Sequence, residues 1–331
     1  MRIAVIGAGA VGGTFAALLS AAGHDVQVTA RGEQLAAIRA GGIHLVGAFG
    51  NHHASVGASE LLTETFELVV VATKAQDAAA ALTANALVLG GTPVLVIQNG
   101  LESLATAHTL LSRSHVIGGL ALFAASFLKP GEIEVTTGGT LVIGGGPAEA
   151  TALVAEVLGA VMPVTVSRNF VGAQWTKLVV NHVNALPAIT GLPVQEVIAQ
   201  RPLRLALTES IREAVRVAAA SKIRFEKMQG LSNAALHTFA RLPARTGQAL
   251  PLLMARRMGN TPNPGSTLQS IRRGQPTEID YLNGAVVKQG LAVGVPTPVS
   301  AALVEMVHEV EQTGSFLTPA AVMRRLTDEP A

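Results

Sequence analysis

The chain has 331 residues, enough for two domains that each bury a core of their own. Its net charge of +2 is small and dispersed, which excludes the basic patch of a nucleic-acid binder. It has no cysteine, which excludes a disulfide framework or a thiolate metal site and makes a reducing cytoplasm the expected compartment.

Residues 3–23 are uncharged behind a single arginine, so the N-terminus superficially suits a secretion signal or a membrane anchor. Gly7, Gly9, Gly12 and Gly13 interrupt the run where such a helix prefers leucine, and each glycine costs roughly 1 kcal/mol in a helix interior. The segment divides instead into a strand over 3–6, a loop, a helix over 14–22 stopped by Gly23, and a second strand over 24–29. Gly7-Ala8-Gly9-Ala10-Val11-Gly12 fits G-x-G-x-x-G between strand and helix, the context in which that motif binds a dinucleotide. Glycines let the backbone approach a pyrophosphate, which rests on the positive end of the helix.

An acid at the end of the second strand would select NAD through the ribose 2′-hydroxyl. Here the strand ends Thr29-Ala30-Arg31, and the planar fork of Arg31 suits the 2′-phosphate of NADP(H). The alternative is a solvated Arg31, with Glu33 making an acidic contact. Strands over 67–73 and 93–97 lead to Lys74 and Asn99, at the strand ends where doubly wound sheets bind ligands. Singly, these residues also fit an exposed loop lysine and an Asn-Gly turn. The uncharged stretch 78–97 is of membrane length, but Asn85 and Gly90-Gly91-Thr92-Pro93 break it into helix, turn and strand, so no membrane span is expected. Short strands follow over 116–166, with a helix over 148–159 and a strand over 164–166. His52 and His53 lack metal-ligand spacing, and no metal is expected.

Beyond residue 168 helical periodicity takes over. The expected architecture is an α/β, Rossmann-type domain over 1–167 followed by an all-helical domain over 168–331. In Trp175-Thr176-Lys177-Leu178-Val179-Val180-Asn181-His182-Val183-Asn184, the residues Lys177, Asn181 and Asn184 are spaced i, i+4, i+7 on one face of an otherwise apolar helix. Such a stripe on a buried helix predicts a polar cleft. Residues 260–265 are a proline-rich loop. Arg272 to Gly284 begins another helix, with Pro276 in its first turn. Within these segments Glu278 has a bland role as a complement to the helix dipole, and Ser266 as an N-cap partnered by Gln269.

Taken in order, GAGAVGG, the Lys-Ala after VVVAT, QNGLE, WTKLVVN and TEIDYLNG resemble the ketopantoate reductases (2-dehydropantoate 2-reductases) almost end to end. The resemblance implies a Rossmann domain and a helical substrate domain with the active site between them. It implies NADPH-dependent reduction of 2-dehydropantoate to (R)-pantoate in pantothenate biosynthesis. Lys177 would be the general acid, Asn181 would position substrate, and Asn99 would bridge cofactor and substrate. Ser266 would contact the substrate carboxylate, Glu278 would lie by Lys177 and the cofactor ribose or substrate hydroxyl, and Ala125 would offer a backbone cofactor contact. Two departures fall on the substrate side. The segment 181–185 is one residue short of the family's second asparagine, leaving Asn184 at a shifted angle, and Val194-Gln195-Glu196 replaces Asn-Gly-Glu. A reductase of another branched or aromatic 2-oxo acid is therefore the alternative. A non-catalytic NADPH-binding regulator would not need Lys177 and Glu278 together. The expected partner is a small 2-oxo acid, with no nucleic acid or membrane; a homodimer is left open.

Overall fold

The computed structural model describes residues 1–259 and 261–327, which divide into two compact units, Met1–Phe170 and the chain from Val171 onward. Asn260, first residue of the proline-rich stretch, lies outside the described residues. No helix among the described residues is long and apolar enough to cross a membrane.

The first unit opens with β1 (Arg2–Ile6), α1 (Ala10–Ala21), β2 (Asp25–Thr29), α2 (Gly32–Gly41), β3 (Ile43–Gly47), β4 (His52–Ala54) and β5 (Gly57–Ser59). It continues with β6 (Leu68–Val71), α3 (Ala75–Leu89), β7 (Pro93–Val96), α4 (Ser103–Leu110), β8 (His115–Ala121), β9 (Ala124–Lys129), β10 (Glu132–Thr137), β11 (Leu141–Gly144), α5 (Ala148–Gly159) and β12 (Val164–Val166). The main sheet runs β12-β11-β8-β7-β6-β1-β2-β5. From β5 to β8 every neighbouring pair is parallel, which is the doubly wound Rossmann order with its switch point between β1 and β6. Successive residues of β1 serve opposite faces: Ile3 and Val5 join one apolar core, Ala4 and Ile6 the other.

A second sheet, β4-β3-β10-β9, takes β9 and β10 from the stretch expected as short strands and adds β3 and β4, which were not foreseen. Helix α1 packs against strands of both sheets, and Gly12 through Leu19 are all buried. This close packing explains two glycines. A Cβ on Gly12 would come within 2.0 Å of the Gly7 carbonyl oxygen, and one on Gly13 within 2.1 Å of Ile133 Cδ1 on β10. Gly9 differs, because a Cβ there would meet nothing within 4 Å.

The second unit is helical: α6 (Phe170–Asn181, whose first residue belongs to the first unit), a 3-10 turn (His182–Asn184), α7 (Ala185–Thr190), α8 (Val194–Ala199) and α9 (Arg201–Ala220). Then come α10 (Asn233–Arg241), α11 (Ala244–Gly247), α12 (Ala249–Arg257), α13 (Gly265–Arg272), a second 3-10 turn (Ile279–Tyr281), α14 (Asn283–Val293), α15 (Pro298–Thr313) and α16 (Pro319–Thr327). Pro187 accounts for the interruption after α6. It has no N–H to give the Val183 carbonyl, and its ring crowds that oxygen, so a straight α-helix cannot run through.

The glycines separate in a thermal melt. Gly12→Ala forces a backbone clash and should cost about 1–3 kcal/mol, several degrees of Tm. Gly9→Ser puts a favoured N-cap residue into open space and should leave Tm within about 2 °C. Equal losses in the two variants would contradict this division of roles.

Candidate active site

At the switch point, Gly7 takes φ +95°, a left-handed conformation that lets the chain turn sharply out of β1. Thr29, at the end of β2, fixes the loop twice. Its hydroxyl accepts the Gly7 N–H at 3.1 Å and its carbonyl accepts the Ala8 N–H at 3.0 Å. Gln34 on α2 adds a bridge, donating to the Ala8 carbonyl at 2.7 Å while its Oε1 accepts the Gly131 N–H at 2.8 Å. The loop is therefore held before any ligand arrives. Helix α1 starts at Ala10 with no side-chain cap on Gly9 and no acid in its first turn, so its positive end is left uncompensated. Gly9 is exposed, with Ala10 and Val11 half-buried beside it.

Other sequence-singled residues gather along the same strand ends. Arg31 is exposed at the N-cap of α2, directly after β2, and Glu33 lies in that helix's first turn. Lys74 is the N-cap residue of α3, after β6, and Asn99 follows β7, beside Gly100 at φ +91°. Ala125 lies on β9 opposite Val135, in the small sheet against α1. Two buried oxygens nearby, Thr73 Oγ1 and Gln98 Oε1, have no hydrogen-bond partner. Open space over Gly9, an uncapped helix end and an orphaned hydroxyl beyond β6 fit a bound dinucleotide.

In the second unit, Lys177 and Asn181 lie one turn apart on α6, half-buried between Trp175, Leu178 and Val179, which are fully buried. Burial lowers the Lys177 pKa to about 8, opposed by the charge of Glu278. Glu278 precedes the second 3-10 turn. Its neighbour Thr277 is pinned by an N–H donated to Glu311 on α15 at 2.7 Å. The expected helix around Pro276 does not form: residues 273–278 are a connection and the helix starts at Asn283. The carbonyl of Glu278 accepts the Tyr281 and Leu282 N–H groups, so Glu278 caps a turn rather than complementing a helix dipole.

Ser266 is the exposed second residue of α13, so it is not an N-cap. The Gly265 N–H is taken instead by Asn263 Oδ1 at 2.9 Å. Asn184 leaves the stripe, because the 3-10 turn changes the rotation per residue after Asn181. It is 8% exposed, and its Oδ1 lies against Gly265, 2.5 Å from where a Cβ would stand. Val194 is buried, and Gln195 holds the loop before α13, donating to the Thr261 carbonyl at 2.8 Å and accepting the Asn263 N–H at 3.0 Å. The residues that replace the family's amide thus support the loop leading to Ser266. Among the described residues no cluster of histidine and acidic side chains suits a metal.

The Ketopantoate reductase PanE/ApbA family model matches residues 3–148, and the Ketopantoate reductase PanE/ApbA C terminal model matches residues 169–311. A 2-dehydropantoate 2-reductase of Pyrococcus abyssi is 30% identical over 91% of this chain and 94% of its own length. One from Halobacterium salinarum is 28% identical over 95% and 100%. Among solved structures, a PanE/ApbA family ketopantoate reductase from Ralstonia eutropha JMP134 is 30% identical with a TM-score of 0.80, covering 94% of this chain and 99% of that one. D-Mandelate dehydrogenase, solved with NADH and anilino(oxo)acetate, shares the fold at 22% identity and a TM-score of 0.82, with 96% and 100% covered. Matched in both halves and along nearly its whole length, the chain belongs to the ketopantoate reductase family.

Proposed function

We propose that this member of a dinucleotide-dependent reductase family uses NADPH to reduce 2-dehydropantoate to (R)-pantoate, the reductive step of pantothenate biosynthesis. The observation that carries the reading is a half-buried lysine, Lys177, whose pKa of about 8 is set by burial against the charge of Glu278. A general acid works best with a pKa near the working pH.

When bound, the reduced dinucleotide supplies the hydride that the keto carbon receives. Backbone amides of Gly7, Ala8, Gly9, Ala10, Val11 and Gly12 would hold its pyrophosphate, and Arg31 its 2′-phosphate. Lys74, Asn99, Ala125 and Glu278 would complete its contacts. Asn181 and Ser266 orient the 2-oxo acid, with the uncompensated first turn of α13 favouring its carboxylate. Protonated Lys177 hydrogen-bonds the keto oxygen, stabilises the negative charge that grows there, and gives it a proton. The lysine ends neutral and recovers its proton from solvent.

A second reading is favoured by one finding. Asn184 is buried against Gly265, and Val194 is buried too, so fewer amides face a polar substrate tail. A reductase of another branched or aromatic 2-oxo acid would show this pattern.

Lys177→Ala should lower turnover by at least roughly 100-fold, the low end for general-acid catalysis, while calorimetric NADPH affinity stays near wild type. Because Lys177 must begin protonated, wild-type kcat/KM should be level below about pH 8 and fall tenfold per unit above it. A Lys177→Ala enzyme retaining most of its turnover would refute the role. Arg31→Ala should raise the KM for NADPH at least roughly tenfold and barely alter that for NADH, because only NADPH carries the 2′-phosphate. Equal losses with both cofactors would remove Arg31 from cofactor selection.

A further inference from the structure

Immediately after Asn181 comes His182, and four residues after Glu278 comes the Leu282-Asn283 step into α14. His182 and Asn283 are 1% and 0% exposed, and they meet across 101 residues of sequence: Asn283 Nδ2 lies 2.9 Å from His182 Nδ1. Ser210 Oγ on α9 lies 2.9 Å from the same ring nitrogen, 3.1 Å from Asn283 Nδ2, and 3.3 Å from Ser300 Oγ at the start of α15. Glu213, one turn along α9, accepts the Val299 and Ser300 N–H groups at 2.8 and 2.7 Å. A serine, a histidine and an asparagine within hydrogen-bond reach have the composition of a nucleophile set. All three are at most 1% exposed, so no substrate reaches Ser210 and the group is not a hydrolytic centre.

Stability alone does not account for this network. His182 Nε2 and Asn283 Oδ1 are both buried without a hydrogen-bond partner, and orphaned polar atoms cost folding free energy. A pair of apolar side chains of the same shape would fill the space without that cost. Directional bonds, however, fix the two segments against each other in a way that apolar contacts do not. The segments joined are the end of the helix bearing Lys177 and Asn181 and the turn bearing Glu278. Between Glu278 and Asn283 the chain is a tight 3-10 turn closed by N–H groups of Tyr281 and Leu282 on the Glu278 carbonyl, so the anchor and the backbone that carries the Glu278 side chain move together.

We propose that His182 and Asn283 are positioning residues for the reduction: their buried hydrogen bond holds the Glu278 carboxylate in place against the Lys177 ammonium. The proposal rests on the reading of Lys177 as the acid. His182 serves as a fixed neutral partner and not as a proton carrier, since burial pushes its pKa down to about 3. If the pair is broken, Glu278 is released, the burial that lowers the Lys177 pKa goes unopposed, and the lysine loses its proton at lower pH.

The test is the pH profile of kcat/KM in wild type, His182→Leu, Asn283→Leu and His182→Asn, the last of which keeps an acceptor at the place of Nδ1. Both leucine variants should lose roughly tenfold in kcat, more than in KM. Their alkaline limb should move at least about half a pH unit below that of wild type, while His182→Asn should restore it. Lower thermal stability with an unmoved limb would overturn the proposal and leave the pair a core contact only. If the leucine variants do not fold, Asn283→Ser, which is too short to reach His182, is read by the same two outcomes. Lys177→Ala is the control: an active Lys177→Ala enzyme with the wild-type limb would sink the general-acid reading itself. That outcome is distinct from an unmoved limb in His182→Leu when Lys177→Ala is dead.

Discussion

Burial pushes the proton of Lys177 off, and the charge of Glu278 holds it on. Without the opposing carboxylate the buried ammonium would lose its proton at lower pH, leaving less of the acid form at physiological pH. The same ammonium in open water would keep its proton too firmly to be an effective acid. Much of the second unit serves this balance. Helix α6 sets the lysine one turn from Asn181, the 3-10 turn that Pro187 imposes interrupts the helix directly after it, and α15 grips Thr277 beside Glu278 through Glu311. The first unit solves a different problem, the approach of a backbone to an anion. Thr29 and Gln34 tie down the loop after β1 so that the uncapped end of α1 is ready in advance.

How far the sequence revealed this depended on the range of the interactions. The opening strand, glycine loop and helix were legible because each is local: β-branched residues, left-handed glycine and a regular apolar run lie within some twenty positions. Helix α5 and strand β12 were legible for the same reason. The small sheet was legible only in part. Strands β9 and β10 lie in the stretch expected as short strands, but β3 pairs in parallel with β10 through Leu45 and Ile133, partners that no local pattern connects. Gly13 read as part of a motif, yet its need arises from the Ile133 side chain on that hidden sheet.

Around Lys177, residue types were legible and their geometry was not. Lys177 and Asn181 share a face as their spacing requires, but extending the pattern to Asn184 assumed an unbroken α-helix. Pro187, visible in the sequence, was the signal against it. Pro276 was read as opening a helix and stands in a connection instead, because proline fits a loop as well as a first turn. Gln34, Thr73, Gln98 and the His182–Asn283 pair gave no local sign, since their importance comes from partners far along the chain or from having none.

The substrate side carries the greatest chemical information still to be read from the chain. Asn181, Ser266 and Glu278 are the polar groups proposed to recognise the substrate, while Asn184 and Val194 are buried. A site that bonds a hydroxyl rejects a substrate lacking it, because the buried partner is left unsatisfied at a cost on the order of 1–3 kcal/mol. The most direct measurement is therefore the initial rate of NADPH oxidation with 2-dehydropantoate and with 2-oxoisovalerate, which differ by that hydroxyl. The account predicts at least roughly tenfold higher kcat/KM for 2-dehydropantoate. Equal or faster turnover of 2-oxoisovalerate, or of a bulkier apolar 2-oxo acid, would contradict it.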